Sequence, residues 1–331
     1  MSHTPNRRLI AVVVLVPVLA ALALWAFAWP AARTAPRDLP LGVAGPPAAT
    51  AQVERQLERH EGAFELHRYA DEAAAREAIQ DRSVYGAVVV TPQGPELLTA
   101  SAAGPAVAQL LQQAVTRQAA AEGTQVRTVD VVPAPQSDPR GAALSASVLP
   151  LALAGIAAGA VVTLLGLSGP RAVGALLGAS ALVGVTAAGI AHSWLGVLTG
   201  DWWTEAAVLG LSSLAVSGAV AGLAALMGPK GIGIAGGVVM LLGNPFSGAA
   251  SAPQLLPEPA GAIGQWLPPG AGTTLLRSVS YFDGAAATGP ALTLGWWAVL
   301  GLGAVLLGGA LRARKRSGTA ATDTRELTTV G

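Results

Sequence analysis

The sequence contains no cysteine and few charged residues. Without cysteine, the 331-residue chain has no disulfide, no thiol nucleophile and no cysteine-bound zinc or iron–sulfur site. Charged residues make up 12% of the chain and apolar residues 52%, whereas a soluble domain carries about 25% charge. This composition argues against a single soluble globule.

The charges are concentrated in one part of the chain. Of the 39 charged residues, 23 lie within residues 33–140, and only seven lie within residues 142–311. The segment 33–140 holds thirteen acids and ten arginines, so it has no broad basic surface, and we expect no nucleic-acid partner. The sequence thus predicts a soluble region followed by a membrane-embedded one.

Long apolar runs predict six transmembrane helices, because a helix needs roughly 20 apolar residues to cross a bilayer. The runs are residues 9–29, 142–167, 172–193, 206–227, 231–249 and 291–311. The first run could instead be a cleaved signal peptide, since Arg7 and Arg8 precede it and Ala26-Phe27-Ala28 resembles a cleavage site. Its length favours a retained anchor.

The distribution of basic residues predicts that both termini are cytoplasmic. Short cytoplasmic loops are rich in lysine and arginine, and with the N-terminus inside, the outer short loops contain only Arg277. The inner side then holds Arg7, Arg8, Arg171, Lys230, Arg312, Arg314, Lys315 and Arg316. All eight tryptophans fall at outer ends or outer loops, where headgroups favour them. Residues 1–8 form a short cytoplasmic N-terminus, and residues 312–331 form a basic cytoplasmic tail that we expect to be disordered.

Residues 30–141 have the pattern of an α/β domain inserted between the first two spans, outside the cytoplasm. Alternating or buried-type apolar runs predict strands at 39–43, 64–69, 85–91, 96–101 and 126–132. Helices are predicted at 51–61, 71–81 and 105–121, with Asp71 as an N-cap. The predicted order is β-α-β-α-β-β-α-β.

The membrane half, residues 142–311, carries small-residue pairs that let helices approach closely. The pairs are Gly155 with Gly159, Gly174 with Gly178, and Gly218 with Gly222. We expect them to pack these spans against one another; a face for a homo- or heterodimer is the alternative. Asn244-Pro245 should break the fifth span near the outer surface, because proline lacks a donor and restricts the preceding residue. The proline-rich loop 250–289 is predicted to hold short re-entrant or interfacial helices.

Residues that carry chemistry are scarce. No phosphate-binding loop, zinc-protease motif or nucleophile elbow occurs, so we expect no enzyme, cofactor or metal site, and His60 and His67 are interpreted as surface residues. No ionisable residue lies near the middle of a predicted span, which argues against an ion-driven carrier. A polar set near the outer surface is a candidate gate, or else a solvated rim: His192, Asp201, Glu205, Asn244, Pro245, Arg277 and Asp283.

The order of parts resembles ABC-2-type export permeases and the related YhgE/Pip-like membrane proteins. The residues that carry the resemblance are 41–44, 71–94, Asn244-Pro245-Phe246-Ser247-Gly248, and 255–277 with its Trp266-Leu267-Pro268-Pro269-Gly270. The resemblance implies a permease-like subunit in the cell membrane, exporting an unknown substrate as a dimer with a separate ATP-binding subunit. Only eight residues precede the first span, and the connection between the second and third spans consists of little more than Ser168-Gly169-Pro170-Arg171. A coupling helix for an ATPase is missing, so an ATPase-independent envelope binding or scaffold protein is the alternative.

Overall fold

The computed structural model describes residues 4–123 and 125–328. It begins with a long helix, α1 (Thr4–Ala32), and continues with strands and helices up to residue 130. These elements are β1 (Leu39–Ala44), α2 (Pro47–Glu58), β2 (Phe64–Tyr69), α3 (Glu72–Gln80), β3 (Gly86–Thr91), β4 (Gly94–Thr99), α4 (Pro105–Glu122) and β5 (Arg127–Asp130).

The rest of the described chain is helical. Its helices are α5 (Ala142–Leu164), α6 (Gly169–Ala188), α7 (Trp202–Met227), α8 (Lys230–Val238), α9 (Ala260–Trp266), α10 (Pro268–Tyr281) and α11 (Thr288–Thr328). A π-helical turn extends α6 over Gly189–Trp194, and another extends α8 over Val239–Gly243.

Residues 39–130 form a five-stranded mixed sheet in the order β2-β1-β3-β4-β5. Strand β1 pairs in parallel with β2 and β3, and β4 pairs antiparallel with β3 and in parallel with β5. We call residues 39–130 the α/β unit. The strands lie close to their predicted positions, and β3 pairs with β4 across the predicted turn, with Val88 opposite Leu97.

Helix α2 begins four residues before its predicted start. The prediction places a turn at Gly45-Pro46-Pro47, but Pro47 is the first residue of the helix. Proline suits a first helical position because the missing N–H would have no partner there and its fixed φ is already helical. Helix α3 begins after Asp71, whose side chain accepts a hydrogen bond from the Ala74 N–H at 2.9 Å, as an N-cap does.

Both faces of the sheet are completed by residues from far along the chain. One cluster joins Ile79 and Leu98 to Phe282, and the other joins Leu41 and Leu97 to Ala252 and Leu255. Leu255 is 1% exposed, and full burial of a leucine side chain contributes about 1.5–3 kcal/mol. The α/β unit is therefore fastened to the segment 250–289, and the boundary expected at residue 141 does not enclose its whole core.

Five helices, and not the predicted six, are long and apolar enough to cross a membrane in the described chain. They contain Leu9–Ala32, Ala142–Leu164, Gly169–Trp194, Trp202–Met227 and Thr288–Arg314. The fifth predicted span, residues 231–249, is the shorter apolar helix Lys230–Gly243. It ends just before Asn244-Pro245, where we expected a break, but its 14 residues fall short of the roughly 20 that a crossing needs.

The tail after α11's apolar part differs from its prediction. We expected disorder from residue 312, but the helix continues through that region to Thr328. Residues 329–331 lie outside the described residues. Propensity explains the continuation in part, because the tail begins with arginines and alanines, which are good helix formers.

Candidate functional site at the rim of the bundle

Helix α7 lies at the centre of the helical half, because small residues let the neighbouring helices approach it closely. A Cβ added at Gly159 would lie 2.7 Å from the Ser217 carbonyl oxygen, and one at Gly155 would lie 2.8 Å from Val216. On another side of α7, a Cβ at Gly222 would lie 2.6 Å from the Gly301 carbonyl oxygen. Ser180 and Ser217 meet at 3.3 Å between α6 and α7. Two of the three predicted glycine pairs therefore form helix contacts.

The third pair does not pack within the chain. A Cβ added at Gly174 or Gly178 would meet nothing within 4 Å, and both glycines are exposed on α6. The prediction that this pair packs against another span of the chain is wrong. The sequence pattern alone cannot tell which face of α6 turns toward α7.

The buried acid Glu205 lies at the start of α7 and binds two donors. Its Oε2 lies 2.7 Å from His192 Nδ1, and its Oε1 accepts a hydrogen bond of 2.8 Å from the Gly200 N–H. Glu205 is 0% exposed, so both contacts offset the cost of removing its carboxylate from water. Two members of the predicted polar set thus meet directly.

Asp201 caps α7 beside this pair. Its Oδ1 accepts hydrogen bonds from the Thr204 N–H at 2.8 Å and the Thr204 hydroxyl at 2.6 Å. These bonds, the hydroxyl's first, lower the pKa of the Asp201 carboxyl below its usual value. Asp201 therefore has a structural contact of its own within the predicted set.

Arg277 is buried in α10 and binds backbone carbonyls. It is 3% exposed, and its Nη2 donates to the Ala249 carbonyl oxygen at 2.6 Å while its Nη1 lies 3.5 Å from that of Gly248. The Ala249 oxygen also accepts from the Ser145 hydroxyl at 2.8 Å. Burial lowers the pKa of Arg277 to about 10. Arg277 thereby ties α10 to α5 and to the chain just after the broken helix.

Asn244 and Pro245 begin the segment that Arg277 holds. The Ser247 hydroxyl donates to the Asn244 carbonyl oxygen at 2.7 Å, which closes the turn after Gly243. Asp283 is exposed and has a φ of 49°, and the described hydrogen bonds of Arg277 do not reach it. The predicted set therefore divides into a pair around Glu205, an arginine-bound turn, and a separate aspartate.

Sequence reasoning missed the contacts between the α/β unit and α10. Arg82 follows α3, and its Nη1 donates to the Thr274 carbonyl oxygen at 3.0 Å and to the Ser278 hydroxyl at 2.5 Å. Its guanidinium carbon lies 5.1 Å from the centre of the Phe282 ring. Tyr85 donates a hydrogen bond of 2.8 Å to Gln254 Oε1. No local motif marks Arg82, because its partners lie almost two hundred residues away.

Comparison with known families gives one match. The long apolar helices define a multi-pass membrane protein. Residues 7–145 match a family model described as ABC-2 family transporter protein. This match confirms the resemblance to ABC-2-type permeases on a range that covers α1, the α/β unit and the start of α5, less than half of the chain. Searches among curated proteins and solved structures give no match.

Proposed function

We propose that this protein is the membrane subunit of an ABC-2-type export system and works with a separate ATP-binding subunit. The observation that carries the proposal is the match of residues 7–145 to the ABC-2 transporter family. Five candidate spans are consistent with a permease. The chain contains no phosphate-binding loop of its own, so ATP hydrolysis would belong to the partner.

In this proposal both termini are cytoplasmic and the α/β unit lies outside. With five full-length spans, this requires the shorter helix Lys230–Gly243 and the segment after it to return the chain to the outer side. It is supported by the end of α11, where a Cβ added at Gly309 would lie 2.8 Å from the backbone nitrogen of Gly169 at the start of α6. The basic residues Arg171 and Lys230 then stand on the cytoplasmic side, and the exposed tryptophans Trp194, Trp203 and Trp266 stand at the outer surface, as lipid headgroups favour. The α/β unit, fastened to the segment 250–289 by Leu255 and Phe282, covers the outer end of the bundle.

We further propose that the predicted polar set lines an outer gate. The short helix before Asn244-Pro245 and the segment that Arg277 binds are the parts that would move. Arg277 anchors this segment through two backbone carbonyls, so opening of a gate here would break these hydrogen bonds.

Copurification tests the proposed partner. We expect the tagged full-length protein to copurify with an ATP-binding subunit from its own cells and to change that subunit's rate of ATP hydrolysis in nanodiscs. The double variant Arg171→Ala, Lys230→Ala should weaken the association, whereas Arg140→Ala, an exposed residue near the α/β unit, should not. A stable partnerless protein, with no export defect on deletion of its gene, would contradict the proposal.

A second candidate function is an envelope binding or scaffold protein that needs no ATPase. It is favoured by the short connections on the proposed cytoplasmic side: residues 165–168 join α5 to α6, and residues 228–229 join α7 to α8. Crosslinking separates the two candidates. A scaffold should capture partners from Gln93→Cys on the α/β unit and none from Ser168→Cys, while a permease should be crosslinked to an ATP-binding subunit from Ser168→Cys.

A further inference from the structure

A cavity lined by both polar and apolar residues lies where the α/β unit meets α9 and α10. Its volume is about 210 Å³, which is well above the roughly 30 Å³ that one water molecule occupies in the liquid. The hydrogen-bonding side chains that line it are Arg82, Ser83, Tyr85, Gln254, Gln265 and Thr274. The lining includes no carboxylate, so the only formal charge at the cavity is positive.

Arg82 uses part of its hydrogen-bonding capacity for structure and leaves the rest open. A guanidinium has five N–H donors, and both donors of Arg82 Nη1 go to Thr274 and Ser278. In the described part of the chain, the hydrogen bonds of Arg82 use neither its Nε nor its Nη2. These two nitrogens are the adjacent pair that a forked anion contacts in a bidentate arginine bond.

A second donor stands at the same cavity. Gln254 accepts the Tyr85 hydroxyl hydrogen through Oε1, which leaves its amide N–H groups as donors. Gln265, by contrast, is occupied at both ends, since it accepts from Thr274 and donates to the Ser247 carbonyl oxygen. Among the lining side chains, Arg82, Gln254 and the exposed Ser83 therefore have donors that no described hydrogen bond uses.

The charge around the cavity is unbalanced. Burial lowers the pKa of Arg277, and the guanidinium of Arg82 lowers it further. Neither arginine forms an ion pair among the described residues. Burial lowers the pKa of Arg82 from its ordinary value. A bound anion would supply the missing negative charge.

Arg82 also occupies a backbone conformation that disfavours its residue type. Its φ is 59°, in the left-handed region that glycine and asparagine adopt more readily. This conformation ends α3 in a capping turn, in which the Arg82 N–H donates to the Ile79 carbonyl oxygen at 3.1 Å and the Ser83 N–H donates to that of Ala78 at 2.9 Å.

We propose that this cavity binds a phosphate group, with Arg82 as its principal ligand and the Gln254 amide as a second donor. A phosphate group presents two oxygens to the adjacent Nε and Nη2 of Arg82, the one arginine in the cavity lining, and its charge is opposite to that of the guanidinium. The site does not depend on an ATP-binding partner, so it stands or falls separately from the proposed export function.

Thermal unfolding of the full-length protein in detergent tests the site with inorganic phosphate as the probe. Against sodium chloride at equal ionic strength, a tenfold excess of phosphate over its Kd should raise the Tm of the unaltered protein by about 2–4 °C. Arg82→Gln should lose this shift. The matched control Arg76→Gln removes an arginine of α3 that is paired with Glu72 at 2.6 Å, and it should keep the shift.

If Arg82→Gln does not fold, Gln254→Leu replaces it as the test variant and should reduce the rise in Tm with phosphate. This variant removes one ligand and leaves the contacts of Arg82 with α10 intact. Nanodiscs containing phosphatidic acid in place of phosphatidylcholine distinguish the source. Arg82-dependent retention of phosphatidic acid in native mass spectrometry, without a response to inorganic phosphate, supports a lipid headgroup as the source; a response to inorganic phosphate supports a soluble phosphate compound. An equal shift with acetate, equal shifts in all variants, or no response to either probe overturns the proposal.

Discussion

Helices α1 and α7 are both apolar and long enough to cross a membrane, yet they are packed in opposite ways. In the most apolar stretch of α7, 67% of the residues are buried within the chain, against 6% for α1, although α1 has the higher mean hydropathy. Helix α7 contains glycines, serines and Glu205 where α1 contains valines and leucines. Hydropathy predicts insertion into lipid, whereas small and polar residues determine close packing between helices.

This contrast also explains how α1 joins the rest. Its contact with the bundle lies at its end near residue 29, where Trp29 stacks on Trp25 at 5.4 Å and meets Phe246 at 6.3 Å. Leu9 to Leu24 are mostly exposed in the single chain, so this part of α1 contacts lipid or another protein. Single substitutions in the packed and the exposed helices should therefore differ in how much they destabilise the protein.

The largest effect should come from Glu205→Ala in α7. It leaves His192 and the Gly200 N–H without their buried acceptor, and breaking such a pair costs about 3–5 kcal/mol. Reversible unfolding in mixed micelles measures the change in the free energy of unfolding. The exposed Glu61→Ala is the control and should change it little. A loss under about 1 kcal/mol would mean that Glu205 is not as isolated from water as the structure has it.

The second largest loss of stability should come from Gly222→Val in α7. Its side chain would meet the Gly301 backbone in α11, and forcing extra methyl groups into a packed site costs about 1–3 kcal/mol. The same substitution at Gly178, where a Cβ meets nothing within the chain, should leave the unfolding of the monomer nearly unchanged. Equal effects at the two glycines would show that α6 packs its glycine face against something, such as a second copy.

Trp29→Ala should destabilise the protein less than Gly222→Val does, and only at the end of α1. It removes the stacking on Trp25 and the edge contact with Phe246, and such aromatic pairs contribute about 0.5–1.5 kcal/mol. Limited proteolysis of the chain between α1 and the bundle measures the effect. The matched control is Leu15→Ala in the same helix, where Leu15 is 56% exposed, and it should not alter the resistance of this connection to protease. Greater sensitivity at Leu15 would contradict the packing described for α1.

The smallest effect should be a pH dependence at the start of α7. Hydrogen bonds from Thr204 lower the pKa of Asp201 in the folded protein. The contribution of the Asp201 carboxylate to folding stability is therefore complete above the pKa in the unfolded chain, about 3.9. The contribution is lost as the pH falls through the lower folded value. Asp201→Asn keeps the cap without the titration, so the fall in Tm on acidification should be slightly shallower in this variant. An identical fall would contradict the capping role.

Local features could be predicted from the sequence where neighbours along the chain decide them. The N-cap Asp71, the β3–β4 turn and the break at Asn244-Pro245 are of this kind. The features that could not be predicted from the sequence depend on contacts between residues that are far apart along the chain. The orientation of Gly174 and Gly178 is set by how α6 lies on α7, and the Arg82 contacts join α3 to α10 across the molecule. The fifth predicted span failed for a different reason, because its helix ends at Gly243 before reaching the length of a crossing.

Both proposed functions depend on which side of the membrane the α/β unit occupies, and the absence of cysteine makes this directly measurable. Single cysteines at Gln93 in the α/β unit and Ser168 between α5 and α6, both exposed, would be treated in intact cells with a membrane-impermeant maleimide. We predict that Gln93→Cys reacts in intact cells and that Ser168→Cys reacts only after the cells are opened. Labelling of Ser168→Cys from outside, with Gln93→Cys protected, would contradict the account.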